Sequence, residues 1–304
     1  MSTPRFLLLG RSGQLGWSLQ RALAAVGTVA ALDRADCDLA IPDQIRSAVR
    51  HSRPDVIVNA AAFTAVDKAE SSLELAERVN AVAPQILAEL AREHGSLLIH
   101  YSTDYVFDGK KSSAYVEADT PNPINAYGRT KLTGEQAIEK VGGSYIVFRT
   151  SWVYGLRGRN FPKTILKRAM SGEKLRVVDD EIGAPTSADL IADITAHCLA
   201  MRLRGLAPVN DLSGIFHLVA SGETTWYEFA CELVRLGRAA GFNIADGGIE
   251  ATSAQCYAAA ALRPANSRLS TEKLRQTFKV HLPPWQLHVA RLVSELAERE
   301  VWPR

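Results

Sequence analysis

The chain has 304 residues, 47% of them hydrophobic and 22% charged. That leaves roughly 140 apolar side chains, enough for one large domain or two of ~150 residues. Lys and Arg exceed Asp and Glu by only 35 − 33 = 2, so charge gives no reason to expect nucleic acid as a partner. Apolar stretches such as Phe6–Leu9 and Tyr257–Leu262 fall far short of the ~20 residues a membrane span needs. The N-terminus enters a strand-like run at once and carries no signal-peptide pattern, so the expectation is a soluble, cytoplasmic protein without a membrane partner. Cys37, Cys198, Cys231 and Cys256 form no Cys-x-x-Cys, and the seven histidines show no ligand spacing, which argues against a metal site or a disulfide scaffold.

In chain order, Phe6–Leu9, Val29–Leu32, Val56–Val58, Leu97–Ile99 and Tyr145–Phe148 are apolar without alternation. Strands buried on both faces of a parallel sheet look like this. Between them Leu15, Leu19, Ala22, Leu23 and Val26 recur at helical spacing, as do Leu75, Val79, Val82, Ile86, Leu87 and Leu90. Pro84 should kink that second helix or cost it a hydrogen bond. Strand and helix in alternation predict an α/β fold, a doubly wound parallel sheet of Rossmann type. After about residue 150 helical patterns fall at roughly 161–171, 187–203, 224–240 and 284–299, with strand-like pieces at Leu175–Val178 and Phe216–Val219. No Gly/Ser/Pro-rich linker separates the halves. The expected division is a dinucleotide-binding domain over 1–150, with later returns near 214–245, and a smaller, mostly helical substrate domain over 151–304 interleaved with it.

The first strand runs into Gly10-Arg11-Ser12-Gly13-Gln14-Leu15-Gly16, which opens the first helix. Glycines so spaced let backbone approach a pyrophosphate and aim helix N–H groups at it; a tight turn of no further purpose is the rival. The Walker spacing is absent, which disfavours a nucleoside triphosphatase loop. About 20 residues on, Asp33 ends the second strand, where a carboxylate accepts from adenosine ribose hydroxyls and favours NAD. Arg34 and Arg11 could instead face the 2′-phosphate of NADP, so both cofactors stay open. Asp38-Leu39 follows where such folds lay backbone beside the adenine. The third strand finishes in Asn59-Ala60-Ala61-Ala62-Phe63-Thr64, a surface without bulk on which a ribose–pyrophosphate could rest.

Tyr127 and Lys131 stand at i and i+4, on one face of a helix opened after Pro121-Asn122-Pro123. A phenol titrates near 10, and a neighbouring cation lowers that value toward use at neutral pH. The fourth strand exits as His100-Tyr101-Ser102-Thr103-Asp104-Tyr105, and such an exit is where a doubly wound fold places chemistry. A local turn cap is the rival for Thr103-Asp104, a solvated pair for Tyr127 and Lys131.

Together, the glycine triplet, Asn59-Ala60-Ala61-Ala62, Ser102-Thr103-Asp104 and Tyr127-x-x-x-Lys131 resemble the extended short-chain dehydrogenase/reductases. Thr64–Glu70, Tyr101–Phe107, Phe148–Tyr154 and Arg263-Pro264-x-Asn266-Ser267-Arg268-Leu269 are similar to the dTDP-4-dehydrorhamnose reductase family. The resemblance implies reduction of the 4-keto group of dTDP-4-dehydro-L-rhamnose with NADPH or NADH, both accepted, in a pathway feeding cell-surface polysaccharide. It implies Tyr127 as general acid, Lys131 beside it and the nicotinamide ribose, and Thr103 and Asp104 at the carbonyl and sugar hydroxyls. Tyr101 would border the cofactor. Tyr105 and Trp152 would touch the substrate, Trp152 as a wall against sugar or base, with a buried core Trp as the rival. Arg263 would meet a substrate phosphate or pair with a carboxylate. Other deoxysugar 4-ketoreductases, nucleotide-sugar epimerases and a non-catalytic regulatory subunit share the pattern, and a homodimer is compatible with it.

Overall fold

The computed structural model describes residues 3–205, 212–245, 247–256 and 259–298. Tyr257, at the head of one apolar stretch, and residue 299, at the end of the expected last helix, lie outside them. The five apolar runs form β1 (Arg5–Leu9), β2 (Thr28–Leu32), β3 (Val56–Asn59), β4 (Leu97–Thr103) and β5 (Tyr145–Thr150). They are joined by α1 (Gln14–Ala24), α2 (Pro42–Ser52), α3 (Val66–Ser71), α4 (Leu73–Glu77), α5 (Ala83–His94) and α6 (Ala126–Val141). Beyond β5 come β6 (Val153–Tyr154), α7 (Phe161–Met170), β7 (Leu175–Val178), β8 (Ile182–Gly183), β9 (Thr186–Ser187) and α8 (Ala188–Leu203). The chain then forms β10 (Gly214–His217), β11 (Thr224–Thr225), α9 (Trp226–Ala239), β12 (Ile249–Thr252), α10 (Glu272–Phe278) and α11 (Trp285–Ala297).

One six-stranded sheet runs in the order β10-β5-β4-β3-β1-β2, every pairing parallel. The strand-like piece expected at Phe216–Val219 is shifted back to Gly214–His217 and closes the sheet's edge beside β5. Alternate residues of each strand feed two separate cores. Phe6, Leu8, Val56, Val58 and Ile99 meet α1 and α8, while Leu7, Leu9, Ile57, Leu98 and Val147 meet α2, α5 and α6. Both faces are therefore apolar, which is why the runs show no alternation. Register places Leu9 beside Leu32 and Asn59, Asn59 beside His100, and Thr103 beside Thr150. All the strand exits thus share one edge of the sheet.

Pro84 interrupts its helical run, as expected. The run is helical without a break from Leu73 to His94, and it widens into a π-helical turn at Arg78–Val82 just before the proline, which lacks the N–H of a regular helical bond. Beyond β5, the short strands pair as β6 with β9, β7 with β12 and β8 with β11. A capping box between Thr225 and Glu228 starts α9.

One ion pair ties α6 to the sheet. Arg149 of β5 donates to Glu135 from Nε at 3.0 and 3.1 Å and from Nη2 at 2.6 Å, with both side chains almost fully buried. Removing one partner strands a buried charge, which typically costs about 3–5 kcal/mol. Arg149→Met should lower the urea midpoint by a corresponding amount, and a loss under 1 kcal/mol, the range of an exposed pair, would contradict that account.

Candidate active site

The turn after β1 is built on backbone. Gly10 has φ +89°, and a Cβ there would stand 2.9 Å from the Ala61 nitrogen. A Cβ at Gly16 would stand 2.0 Å from the Gly10 carbonyl oxygen, so both positions require glycine. The N–H groups of Gly10 and Arg11 donate to the Leu32 carbonyl at 2.8 and 3.0 Å, pinning the turn to the end of β2. No side chain caps α1 at Gly13, and its dipole leaves partial positive charge at that end. Ser12 and Gly13 are exposed there. Gln14 accepts from Asn160 Nδ2 at 2.8 Å, and Leu15 turns its side chain into the core. A glycine cradle at an uncapped helix start suits a pyrophosphate.

At the neighbouring corner, Arg11 reaches Asp33 from Nε at 3.1 Å and Nη2 at 3.0 Å, and also pairs with Asp36 at 3.1 Å. The Arg11 hydrogen bond holds the Asp33 carboxyl below its usual range. Arg34 pairs with Asp38 at 3.0 Å, and Leu39 is buried. Both arginines expected at a 2′-phosphate are thus engaged by carboxylates of the same corner.

Beyond β3, the Asn59 Oδ1 accepts from the Ala61 N–H at 3.2 Å. Ala61, Ala62 and Phe63 are partly exposed and Thr64 fully so. Asn80, in the π-helical turn, accepts from the Phe63 N–H at 2.9 Å and donates to its carbonyl at 3.1 Å. It also donates to Thr130 Oγ1 at 3.1 Å, so one side chain ties the loop after β3 to α6. The sequence reading missed Asn80; a lone polar residue inside an apolar helical pattern, just before Pro84, was the available signal.

Thr103 ends β4. Its hydroxyl donates to Asp104 Oδ1 at 3.0 Å and accepts from the Tyr105 N–H at 3.1 Å, so it does cap the turn that follows. α6 starts where the Asn125 side chain accepts from the Gly128 N–H at 2.8 Å. Gly128 has no Cβ because one would lie 2.1 Å from the Tyr105 carbonyl. That approach brings the rings of Tyr127 and Tyr105 edge to face, 5.8 Å apart. Thr103, Asp104, Tyr105 and Tyr127 therefore converge at the exit of β4.

Lys131 departs from expectation. Its Nζ donates to the Tyr101 carbonyl at 2.7 Å and meets His100 Nε2 at 3.1 Å. Burial, with the Asp104 carboxyl close by, pushes the Tyr127 phenol above its ordinary value, and only the Thr103 hydroxyl opposes it. The expected lowering of the phenol by Lys131 is absent. Burial brings the Lys131 ammonium down to about 8, against the pull of Glu135. Tyr101 turns its ring away into the core, stacked on Phe148 with its hydroxyl 2.9 Å from Thr195, so only its backbone lies beside Lys131.

Trp152 has φ +47° and lies flat on Trp226, centroids 3.6 Å apart. Gly183 leaves room for it, since a Cβ there would be 2.6 Å from the Trp152 ring. Trp226 Nε1 donates to Glu181 at 3.1 Å, and burial raises the Glu181 carboxyl. The tryptophan expected as a wall thus stacks on a second one, and both pack, partly buried, against the core. Trp226 was missed because the first residue of an amphipathic helix carries no mark of its own. Arg263 resolves to a carboxylate partner, Asp67, at 3.0 Å. Among the described residues, no group of three or more His, Cys, Asp or Glu could hold a metal ion, and no helix is long and apolar enough to cross a membrane.

A glycine cradle on the first strand of a parallel sheet, with Tyr127 and Lys131 beside Thr103 at the fourth exit, defines a dinucleotide-dependent oxidoreductase of the short-chain type. The family model described as RmlD substrate binding domain matches residues 4–298. The dTDP-4-dehydrorhamnose reductase of Escherichia coli (strain K12) is 46% identical over 294 residues, covering 95% of this chain and 97% of that relative. Among solved structures, the Clostridium acetobutylicum dTDP-4-dehydrorhamnose reductase ortholog superposes with TM-score 0.86 at 32% identity, over 96% of this chain and 99% of that one. The Bacillus anthracis dTDP-4-dehydrorhamnose reductase, in complex with NADP, gives TM-score 0.84 at 31% identity, over 97% and 100%. The chain belongs to the dTDP-4-dehydrorhamnose reductase family.

Asp104 carries a measurable signature. Its Oδ2 is buried with no hydrogen bond of ordinary length, and burial, opposed by the Ser267 and Thr103 hydroxyls, lifts the carboxyl from its ordinary 3.8 to about 7. The folded chain binds the extra proton in that interval, so stability falls as pH rises through it and the full cost remains above it. Asp104→Asn should raise the urea midpoint at pH 8 and much less at pH 4. An equal gain at both pH values would contradict the assignment.

Proposed function

We propose that the chain reduces the 4-keto group of dTDP-4-dehydro-L-rhamnose to dTDP-L-rhamnose, the last step of dTDP-rhamnose synthesis, using NADPH or NADH. The observation that carries this reading is the position of Tyr127, a phenol held against Thr103 and Tyr105 one helical turn before Lys131. The 10–16 turn and the start of α1 would hold the pyrophosphate, Asp33 with Arg11 and Arg34 the adenosine ribose, Asp38-Leu39 the adenine edge, and residues 61–64 the middle of the dinucleotide. Reduced and bound there, the dinucleotide supplies the hydride.

The remaining steps belong to the chain. Tyr127 keeps its proton at neutral pH because burial raises the phenol, and gives it to the sugar oxygen as negative charge grows there. Thr103, whose single hydroxyl hydrogen goes to Asp104 in the free protein, would turn it to the same oxygen. Lys131 stabilises the phenolate left behind, and Asp104 and Tyr105 hold the sugar. The Trp152–Trp226 pair offers an apolar face to sugar or base. Residues 1–150 with β10 form the cofactor side and the interleaved remainder the substrate side. The proposal extends to a cytoplasmic location, where dinucleotide pools lie, and to a homodimer, which light scattering on the eluted protein measures.

The deciding experiment incubates the protein with dTDP-4-dehydro-L-rhamnose, follows dinucleotide oxidation by absorbance and identifies the product by NMR. No turnover, or a product other than dTDP-L-rhamnose, refutes the proposal. Tyr127→Phe should lower kcat by about 10²–10⁴-fold and leave dinucleotide affinity within about threefold; full activity would remove Tyr127 from the acid's role.

Both NADH and NADPH should serve, with kcat/KM differing by less than about tenfold, the ~1.4 kcal/mol scale of a surface charge pair. Asp33→Ala removes one of the two carboxylates that hold Arg11, together with the charge that repels a 2′-phosphate, and should tilt the ratio toward NADPH. A thousandfold native preference for either form would contradict this.

A further inference from the structure

We propose that His100 is a positioning residue for Lys131: through Asn59 it couples the amine's protonation state to the backbone turn after β3. This deepens the reading of Lys131 as part of the active site. Asn59 and His100 are register partners on β3 and β4 and share the sheet face that α6 covers. All three side chains are almost completely buried, so water does not relieve a mismatch among them.

The hydrogen-bond directions can be followed from the backbone inward. The Ala61 N–H is a donor, so the Asn59 atom 3.2 Å from it is the carbonyl oxygen. The Asn59 amide nitrogen then faces His100 Nδ1 at 3.2 Å and donates to it. A neutral ring that accepts at Nδ1 carries its hydrogen on Nε2. That N–H points at Lys131 Nζ, 3.1 Å away. A neutral amine accepts it and still donates to the Tyr101 carbonyl at 2.7 Å, so every group is satisfied. An ammonium has no lone pair, and two donors would face each other.

Protonating Lys131 therefore requires the ring hydrogen on Nδ1 and the Asn59 amide turned over, which takes the acceptor from the Ala61 N–H. The network gains one proton, carried on Nζ, and the ring stays neutral in both states. Burial and the Lys131 charge hold the imidazole well below its ordinary value, which keeps imidazolium out of the scheme. Among the described residues, Glu135 on its own helix is the charged group that acts on Lys131, with Tyr127 one turn before it. Glu135 is committed to Arg149. The amine of Lys131 comes down to about 8, so the two arrangements exchange within an accessible pH range.

The test is a 15N-histidine NMR titration of the whole protein, free of dinucleotide, from pH 6 to 10. His100 is assigned by the signal missing in His100→Gln. The expected result is a neutral ring that changes from the Nδ1–H to the Nε2–H tautomer as pH rises, and keeps Nε2–H throughout in Lys131→Met. A single tautomer across the range in the native protein overturns the proposal without any variant, as does the same change surviving in Lys131→Met. A second arm reads kcat/KM against pH. A Gln at position 100 gives the ammonium a carbonyl acceptor, so the alkaline limb should move up by about one pH unit, the size one hydrogen bond supplies. A merely structural His100 would lower the melting temperature with the limb unmoved, and that outcome also overturns the proposal. The NMR arm involves no substrate, so its failure is distinct from failure of the assigned reaction.

Discussion

The inward face of α6 is polar where helices of this kind are usually apolar, and much of the surrounding structure answers to that constraint. Thr130, Lys131 and Glu135 are each almost completely buried between α6 and the sheet. A polar group in such a place must find a partner or cost stability. The partners come from three other elements: Asn80 from the π-helical turn, His100 from β4 and Arg149 from β5. Gly134 completes the fit, since a Cβ there would stand 2.1 Å from the Asn80 carbonyl. These bonds set how α6 lies on the sheet, and hence where Tyr127 stands at its end.

The same edge of the sheet stores unfavourable terms that a purely structural protein would shed. Asp104 is buried with one oxygen lacking a hydrogen bond of ordinary length, Trp152 occupies a left-handed conformation, and Lys131 is a cation drawn out of water. Strain and uncompensated burial gather at working sites because the surroundings over-determine them. Here the compensation is visible. The core of β1, β3 and β4 is buried on both faces, Asp104 follows β4 directly, and Trp152 follows β5 beside it.

What could be read in the sequence follows from the range of the interactions involved. β1, β3 and β4 were legible because burial on both faces leaves an uninterrupted apolar run, a local property. The glycines at 10 and 16 were legible for the same reason, and so was the i, i+4 pair on α6. The partners of that pair were not. His100 appeared as one residue of a strand exit, and nothing near it shows that its ring meets Lys131, 31 positions away. The Trp152–Trp226 stack and the Glu135–Arg149 pair likewise join residues from different elements. Pro84 was legible as an interruption, and the form it takes, a π-helical turn within a continuous helix, was not.

The raised phenol of Tyr127 at first sight opposes an acid catalyst, and the order of charge development resolves this. A general acid must still hold its proton when the substrate arrives, so a phenol lifted by burial is correctly loaded at neutral pH. Cationic help is needed only once the proton has left and phenolate stands in the same dry pocket. Lys131 meets that need as an ammonium, whose charge stabilises the phenolate without taking the proton, which goes to the sugar oxygen. The bonds from Lys131 to His100 and the Tyr101 carbonyl hold its nitrogen one turn from the phenol. On this account Lys131 acts on the phenolate from one helical turn away, its nitrogen held by His100 and the Tyr101 carbonyl rather than by the phenol.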